Sequence, residues 1–369
     1  MAALRRVALV LCMVGLAAPV CAQDPDAPTP SPVELHVSGI VDLSAFAGFA
    51  TEQHVAPRGV FDLNARVSLA RIRLPRASIF GQYYAFRGRN GSTILGDYEG
   101  FSSIDADPFA HAGELSLDVD WLPGRLRTRM GRLDANSDFA LPISTELFQH
   151  SSAGFSGAIY PMPTYPNPEP GVVTELHVVG TVSLTAGWYE GPEPADAGGR
   201  MVSPGAMWLL QTSTGDDPEV GRVVFGAWRH TGGFLNDREW LRDSRGWFLL
   251  GERVAGHVSK GRSVVASAQA SFSIDGVAPV RRHVALGLRL DRATQRRARD
   301  SMGMRLSFGE LTATETLSSD ATEMGIELFH RFTLNTWLSM QPDIQWLRLP
   351  AGTPDRDRFA MTIRLKVQR

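Results

Sequence analysis

The chain has 369 residues, 43% of them hydrophobic and 21% charged, with 36 glycines and 23 prolines. That hydrophobic content excludes a disordered chain, and the near balance of 37 basic against 39 acidic residues excludes a generalised nucleic-acid footprint. The only two cysteines, Cys12 and Cys21, exclude a disulfide scaffold and a Cys-rich zinc domain.

At the start of the chain, Arg5 and Arg6 precede an apolar run from Val7 to Leu16, followed by Ala-Ala-Pro-Val-Cys-Ala. This predicts a signal peptide over residues 1–22, cleaved after Ala22, and hence an exported protein. The apolar stretch from Val7 to Val20 is 14 residues long, too short for a span that needs roughly 20 residues. Cleavage removes both cysteines and two arginines but no acid, moving the formal net charge from −2 to −4. Residues 23–32, rich in Pro and Asp, read as a flexible lead-in, and residues 33–369 as one domain.

From Val33 onward the recurring pattern is alternation. Leu35, Val37, Val41 and Leu43 alternate with His36, Ser38, Asp42 and Ser44. The same period of two runs through Leu115–Trp121, Val284–Leu290 and Phe359–Val367. It gives each strand one apolar and one polar face. Sixteen such segments are predicted: 33–48, 61–72, 77–87, 112–121, 125–132, 173–179, 181–190, 205–213, 221–231, 247–256, 263–273, 282–290, 301–308, 322–332, 336–347 and 357–368.

A soluble sandwich also alternates, but three features favour an all-β, 16-stranded antiparallel transmembrane β-barrel. The segments are long enough for tilted membrane strands. Tyr83, Tyr84, Trp121, Trp188, Trp228, Trp247, Trp337 and Trp346 lie near segment ends, where aromatic girdles belong. Long connections at 49–60, 88–111, 133–172, 191–204 and 232–246 alternate with tight turns at 74–76, 122–124 and 180. Only 214–220 and 291–300 are longer than the tight-turn side requires.

The third long connection, 133–172, carries Phe139, Phe148, Phe155, Tyr160 and Tyr165, with Pro142 and five prolines between Pro161 and Pro170. So long a loop is usually functional or disordered. This composition predicts a stiff third extracellular loop folded into the lumen.

Inside such a barrel, alternation turns Arg125, Arg127 and Arg129 inward as a row, along with Arg331 and Arg364. Glu327 and Asp343 share the inner face with Asp62, Glu114 and Asp118. Mixed charges on facing rows orient polar solutes, whereas a ring of one sign selects ions. Arg132, at the junction of strand and loop, is the foremost candidate for a lumen-facing guanidinium. Asp134, Asp138 and Glu146 of the loop are candidate eyelet acids, and Asp134 can equally serve as a local cap. No enzyme is expected. Ser156 lacks the spacing of a nucleophile elbow, and His150 beside Ser151 and Ser152 is too close in sequence for proton relay. The nine histidines show no metal-ligand spacing, and neither a phosphate loop nor a dinucleotide fingerprint is present.

Four stretches resemble the carbohydrate-selective porin (OprB) family. Gly131-Arg-Leu-Asp-Ala-Asn-Ser-Asp-Phe-Ala140 is similar to the family's Gly-Lys-Leu-Asp-…-Phe-Ala segment. Phe148-Gln-His-Ser-Ser-Ala-Gly-Phe155, with Tyr165-Pro166 and Pro170-Gly171 after it, is similar to Phe-x-Asn-Ser-Ser-Phe-Gly. Gly226-Ala-Trp-Arg-His-Thr-Gly232, whose Arg229 is a further pore-lining candidate, resembles Gly-x-Trp-x-x-Thr-Gly. Glu327-Leu-Phe, Met340-Gln-Pro-Asp-Ile-Gln-Trp346 and Pro350-Ala-Gly352 match the family's Gln-Pro-Asp-x-Gln-Tyr strand and Pro-Gly loop.

The resemblance implies passive diffusion of small sugars through a charged eyelet in a Gram-negative outer membrane, with no cofactor or metal. The implied partners are the permeating sugars, outer-membrane lipid and lipopolysaccharide, and the barrel-assembly machinery; a homo-oligomer and a monomer fit equally. Two positions depart from the family pattern: His150, itself a pore-lining candidate, replaces an Asn, and the sequence closes on Lys366-Val-Gln-Arg369 rather than an aromatic residue. Two other readings of the residues stay open. One is an anion- or organic-acid-preferring porin of the same fold, and the other is a soluble exported β protein that binds polysaccharide.

Overall fold

The computed structural model describes residues 32–48, 54–192, 201–215, 219, 221–236, 239–259, 261–274, 276–294, 299–313, 321–349 and 357–369. The predicted signal peptide, residues 23–31 of the lead-in and the Pro350–Gly352 motif lie outside them.

Strand follows strand along the chain. The first half contains β1 (Val33–Ala47), β2 (His54–Ser68), β3 (Ala77–Gly88), β4 (Phe109–Leu122), β5 (Leu126–Leu133), β6 (Glu169–Val179) and β7 (Val182–Glu190). A three-residue β8 (Met201–Ser203) precedes β9 (Ala206–Thr214), β10 (Arg222–Asn236), β11 (Glu239–Ser259) and β12 (Arg262–Ser273). The series ends with β13 (Val280–Asp291), β14 (Ser301–Leu311), β15 (Thr322–Thr333), β16 (Leu338–Arg348) and β17 (Asp357–Gln368).

The sixteen long strands pair antiparallel with their neighbours, and β17 pairs back onto β1 from Ser38↔Gln368 to Ala47↔Phe359. The barrel is therefore closed. Closure matters because a hydrocarbon core offers no partner to an open sheet edge. The short β8 pairs with β10, opposite Gly233 and Phe234. Among the described residues, no helix is long and apolar enough to cross a membrane.

The two faces are inverted relative to a soluble sheet. Val41, Leu115, Leu286 and Met361 are 58%, 59%, 56% and 55% exposed. Between them in the alternation, Asp42, Ser116, Ala285 and Thr362 are buried. A soluble sandwich would hide the apolar rows and wet the polar ones. An outer wall of exposed Leu, Val and Phe with polar residues inside is what lipid requires.

Tyr83, Trp121, Trp188 and Trp247 stand on the outer wall, joined there by Trp208, while Trp337 is exposed in the turn before β16. Tyr84 and Trp228, expected in the girdles, are instead buried on the inner face. Trp228 stacks beside Phe248, and Tyr84 packs against Phe109 and Tyr165.

Several boundaries correct the sequence-based expectation. β2 begins at His54 rather than 61, because Ala56, Arg58 and Val60 continue its inward row despite Pro57 and Gly59. It ends at Ser68, where residues 70–72 form a 3-10 turn. The long connection expected at 232–246 is mostly strand. β10 and β11 pair out to Asn236↔Glu239, past a register shift between His230 and Gly233. A bulge absorbs the Thr-Gly-Gly run that reads as loop in sequence.

Candidate functional site

Four buried carboxylates on the inner wall clamp the two long loops by accepting backbone N–H groups. Glu252 of β11 accepts from the amides of Ile143 (3.1 Å) and Ser144 (2.5 Å) and from the Ser144 hydroxyl (2.5 Å). Glu327 of β15 accepts from the amides of Gln149 and His150, the latter at 3.3 Å. Glu114 of β4 accepts from the Asp134 amide at 2.7 Å. In the loop 89–108, the amides of Tyr98 and Glu99 donate to Glu323 of β15 at 2.8 and 2.9 Å. A buried carboxylate needs such donors, and charged acceptors make the stronger hydrogen bonds.

Basic and amide side chains hold the same loop by its carbonyls. Arg289 donates to Ser144 O (2.7 Å), Arg305 to Ser152 O (2.8 Å) and Gln341 to Leu147 O (2.8 Å). Phe148 sits edge-to-face on Phe329, with ring centroids 4.9 Å apart. A Cβ at Gly303 would stand 2.9 Å from its ring, so only glycine lets that phenyl approach the wall. The loop 134–168 is thus tied to β11, β13, β14, β15 and β16 through their polar, buried faces.

On β2–β5 a second constellation forms around Asp118. Its carboxylate pairs with Arg66, with Arg127 at 3.0 Å and with Arg129 at 3.4 Å, and accepts from Ser116 Oγ at 2.8 Å. Arg129 also reaches Glu114 at 3.3 Å and, across to the loop, Asp138 at 2.7 Å. Exposure divides this group by role. Asp118 and Arg129 side chains are 5% and 9% exposed, whereas Arg66 and Arg127 are 35% and 40% exposed. Arg66 lies 5.3 Å above the Phe80 ring. One buried acid therefore aims two half-exposed guanidinia. Asp62, held by Gln82 Nε2 at 3.0 Å, shares the inner row of β2.

The site residues expected from sequence divide accordingly. Arg127, Arg129 and Asp138 are brought together. Arg125 lies exposed in the turn before β5 rather than continuing the row. Arg132 is a correction: it stands opposite Leu115, on the apolar outer face, and donates to the carbonyls of Pro168 (2.7 Å) and Ala112 (3.2 Å). Arg229 is another, lying on the outer face opposite Trp208 and paired with Asp243 at 2.7 Å.

Asp134 acts as a cap, accepting from the amides of Asn136 (2.8 Å) and Tyr165 (3.1 Å) and from Thr164 Oγ1 (2.6 Å). Burial raises the affinity of both Asp134 and Asp138 for a proton, against the pull of these donors and of Arg129. His150 is buried, with Nδ1 2.9 Å from Ser152 Oγ, and burial pushes its pKa down to about 3, so it is neutral at ordinary pH.

Glu327 and Asp343 are buried side by side, Glu327 engaged with the loop and Asp343 accepting from Gln345 Nε2 at 3.2 Å. Neither presents a free charge. Glu146 is exposed on the loop and interacts electrostatically with Lys366, as do Arg331 and Asp62.

Sequence reasoning did not single out the cluster of Arg58, Asp42, Arg364 and Asp105. Arg364 grips Asp42 by two bonds of 2.9 and 2.8 Å, and Arg58 Nε lies 3.1 Å from Asp105 of the loop 89–108. The inward parity of Arg58 was the available signal, hidden by its position between Pro57 and Gly59. Glu252 had no motif to mark it. Among the described residues, no cluster of His, Cys, Asp and Glu has the arrangement of a metal site.

A family model for the carbohydrate-selective porin, OprB family matches residues 52–368. No curated protein matches the chain. Among solved structures, the high-pH form of Pseudomonas putida OprB is 15% identical, with a TM-score of 0.77, covering 92% of this chain and 94% of that one. Its low-pH form aligns with a TM-score of 0.58 at 10% identity, covering 92% and 93%. The anion-selective porin from Comamonas acidovorans aligns at 0.59 with 9% identity, covering 91% of this chain and all of that one. At such identities the likeness is one of fold.

Proposed function

The chain belongs to the carbohydrate-selective porin, OprB family, and from that premise we propose that neutral sugars cross beside the Arg66–Arg127 pair, with the loop 134–168 lying across the lumen as the constriction. The protein is a sugar-selective channel of the Gram-negative outer membrane rather than an enzyme. The observation that carries the eyelet assignment is the pair of half-exposed guanidinia anchored by buried Asp118. Fixed donors there replace water on sugar hydroxyls without the entropy loss of ordering two long side chains at each passage. Exposed Glu146, with Asp62, supplies acceptors, so the lining is of mixed sign and does not reduce to an anion ladder.

The loop clamps support the inward position of the loop, since Glu114, Glu252, Glu327, Arg289, Arg305 and Gln341, which hold it, all lie on the polar face of the strands. Export is through a signal peptide cut after Ala22, and residues 23–32 lead into the barrel. Lipid and lipopolysaccharide contact the exposed apolar rows, and the barrel-assembly machinery inserts the chain. The test is glucose flux in proteoliposomes with Arg66→Ala, Arg127→Ala and the double variant. Flux should fall and saturate at higher glucose, with the fold retained. Wild-type flux from a folded double variant excludes this pair as the eyelet.

A further inference from the structure

We propose a second, upstream sugar subsite: a cavity of about 340 Å³ between the loops 89–108 and 134–168 that binds the face of a pyranose ring before it reaches the arginine pair. The inference rests on the sugar-channel reading and adds a site to it. The cavity is lined by Tyr98, Phe155, Tyr160, Tyr165 and Asn167, all on connections at the long-loop end of the barrel. Its volume falls in the range of small-molecule sites, ~300–1,000 Å³.

The lining chemistry selects the ligand class. Among the described residues no Lys or Arg lines the cavity, so an anion finds no partner there. Its one acid among the described residues, Glu99, is 4% exposed and faces His283 of β13 at 3.7 Å. What remains is aromatic surface with a few neutral polar groups, suited to the C–H face and rim hydroxyls of an uncharged sugar.

The walls are also fixed before a ligand arrives. The backbone of Tyr98 is pinned by Glu323, leaving the ring 39% exposed. Tyr165 donates its hydroxyl to Ile104 O at 3.0 Å and leans on Tyr84 and Phe109. The Tyr98 hydroxyl and the Asn167 carboxamide make no hydrogen bond among the described residues. They are the free groups of a preorganised site.

The experiment uses the full mature chain in planar bilayers, reading block of single-channel ion current by glucose, and by the open-chain polyol sorbitol, added to either side. Glucose added from the long-loop side should block at lower concentration than sorbitol. Tyr98→Ala should raise that half-blocking concentration ~3- to 10-fold, leaving sugar-free conductance unchanged. Tyr98→Phe keeps the ring and should bind like wild type to within a small loss. Asn167→Ala should shift the same quantity in the same direction.

Unchanged half-blocking concentrations in Tyr98→Ala and Asn167→Ala, or equal block by sorbitol, overturn the subsite. If Tyr98→Ala fails to insert, Asn167→Ala and the glucose–sorbitol comparison still decide. Wild-type channels blind to glucose from both sides would defeat the sugar-channel reading itself. Normal block from the short-turn side with no effect of either substitution defeats the subsite alone.

Discussion

Removing two wall acids, Glu252→Ala with Glu327→Ala, should release the loop 134–168 and widen the channel. Glu252 accepts three hydrogen bonds from Ile143 and Ser144 and pairs with Arg222 at 2.7 Å, all in a buried setting. Glu327, 3% exposed, accepts two more from Gln149 and His150. Hydrogen bonds to a charged partner contribute ~1.5–3 kcal/mol each, and breaking a buried charged set leaves ~3–5 kcal/mol of unmet polar groups. Arg289, Arg305, Gln341 and the Phe148–Phe329 contact still hold the loop, so each single variant should weaken the closed position by about 3 kcal/mol. That is a shift of roughly 100-fold in the closed-to-open ratio.

The double variant should populate the open form outright. Single-channel recording should show larger and noisier conductance with weaker sugar block, and limited proteolysis should cut within 134–168. A folded double variant with wild-type conductance, sugar block and protease resistance would refute the latch and with it the placement of the loop across the lumen.

Three further outcomes follow from the same geometry. Leu286→Arg, on the exposed apolar row, should cost ~2–4 kcal/mol of insertion free energy near the midplane, whereas Ser267→Arg on the inner face of β12 should insert and alter conductance; equal insertion of both in a folding assay into lipid vesicles argues against the lipid-facing row. Arg132→Ala should leave glucose flux within about twofold of wild type while lowering stability by ~1–2 kcal/mol, through the hydrogen bonds lost at the Pro168 and Ala112 carbonyls; a large flux loss would return Arg132 to the eyelet. Burial pushes Asp97 and Glu99 of the loop 89–108 up to about 7, with mutual repulsion and nearby Asp105 adding to the shift and Arg305 opposing it. A raised carboxyl pKa means that the folded loop favours the proton. Stability is then full below pH ~4, the unfolded value, and declines as pH rises through 7. Hydrogen-exchange protection factors in this loop, taken relative to the intrinsic rate at each pH, should be higher at pH 5 than at pH 8, and Asp97→Asn with Glu99→Gln should flatten the difference; the same pH profile of protection in that variant would show other groups at work.

Much of the barrel was legible because a single physical rule, polar in and apolar out at period two, runs through every strand. The rule located all sixteen long strands and the long third loop. It failed where local residue chemistry mimicked a turn. Pro57 and Gly59 hid the first half of β2, and Thr231-Gly-Gly233 hid a bulge inside β10.

The site was harder to read, since parity gives a face but not a partner. Glu327 faces inward as expected, yet it is occupied by two loop amides that only the folded loop supplies. Arg132 sits one position off the row of Arg127 and Arg129, and a one-residue step exchanges lumen for lipid. Asp118 was placed on the inner face, but its role as the anchor of Arg66, Arg127 and Arg129 depends on strand register, which sequence does not carry.

The most direct test of the central account is solute flux into proteoliposomes bearing the purified protein, comparing glucose with a size-matched anion and a zwitterion. A sugar channel with a mixed-sign lining predicts glucose flux that is fast and saturable, and exceeds that of both charged solutes. Preferential passage of the anion, with glucose slow and unsaturable, would contradict it.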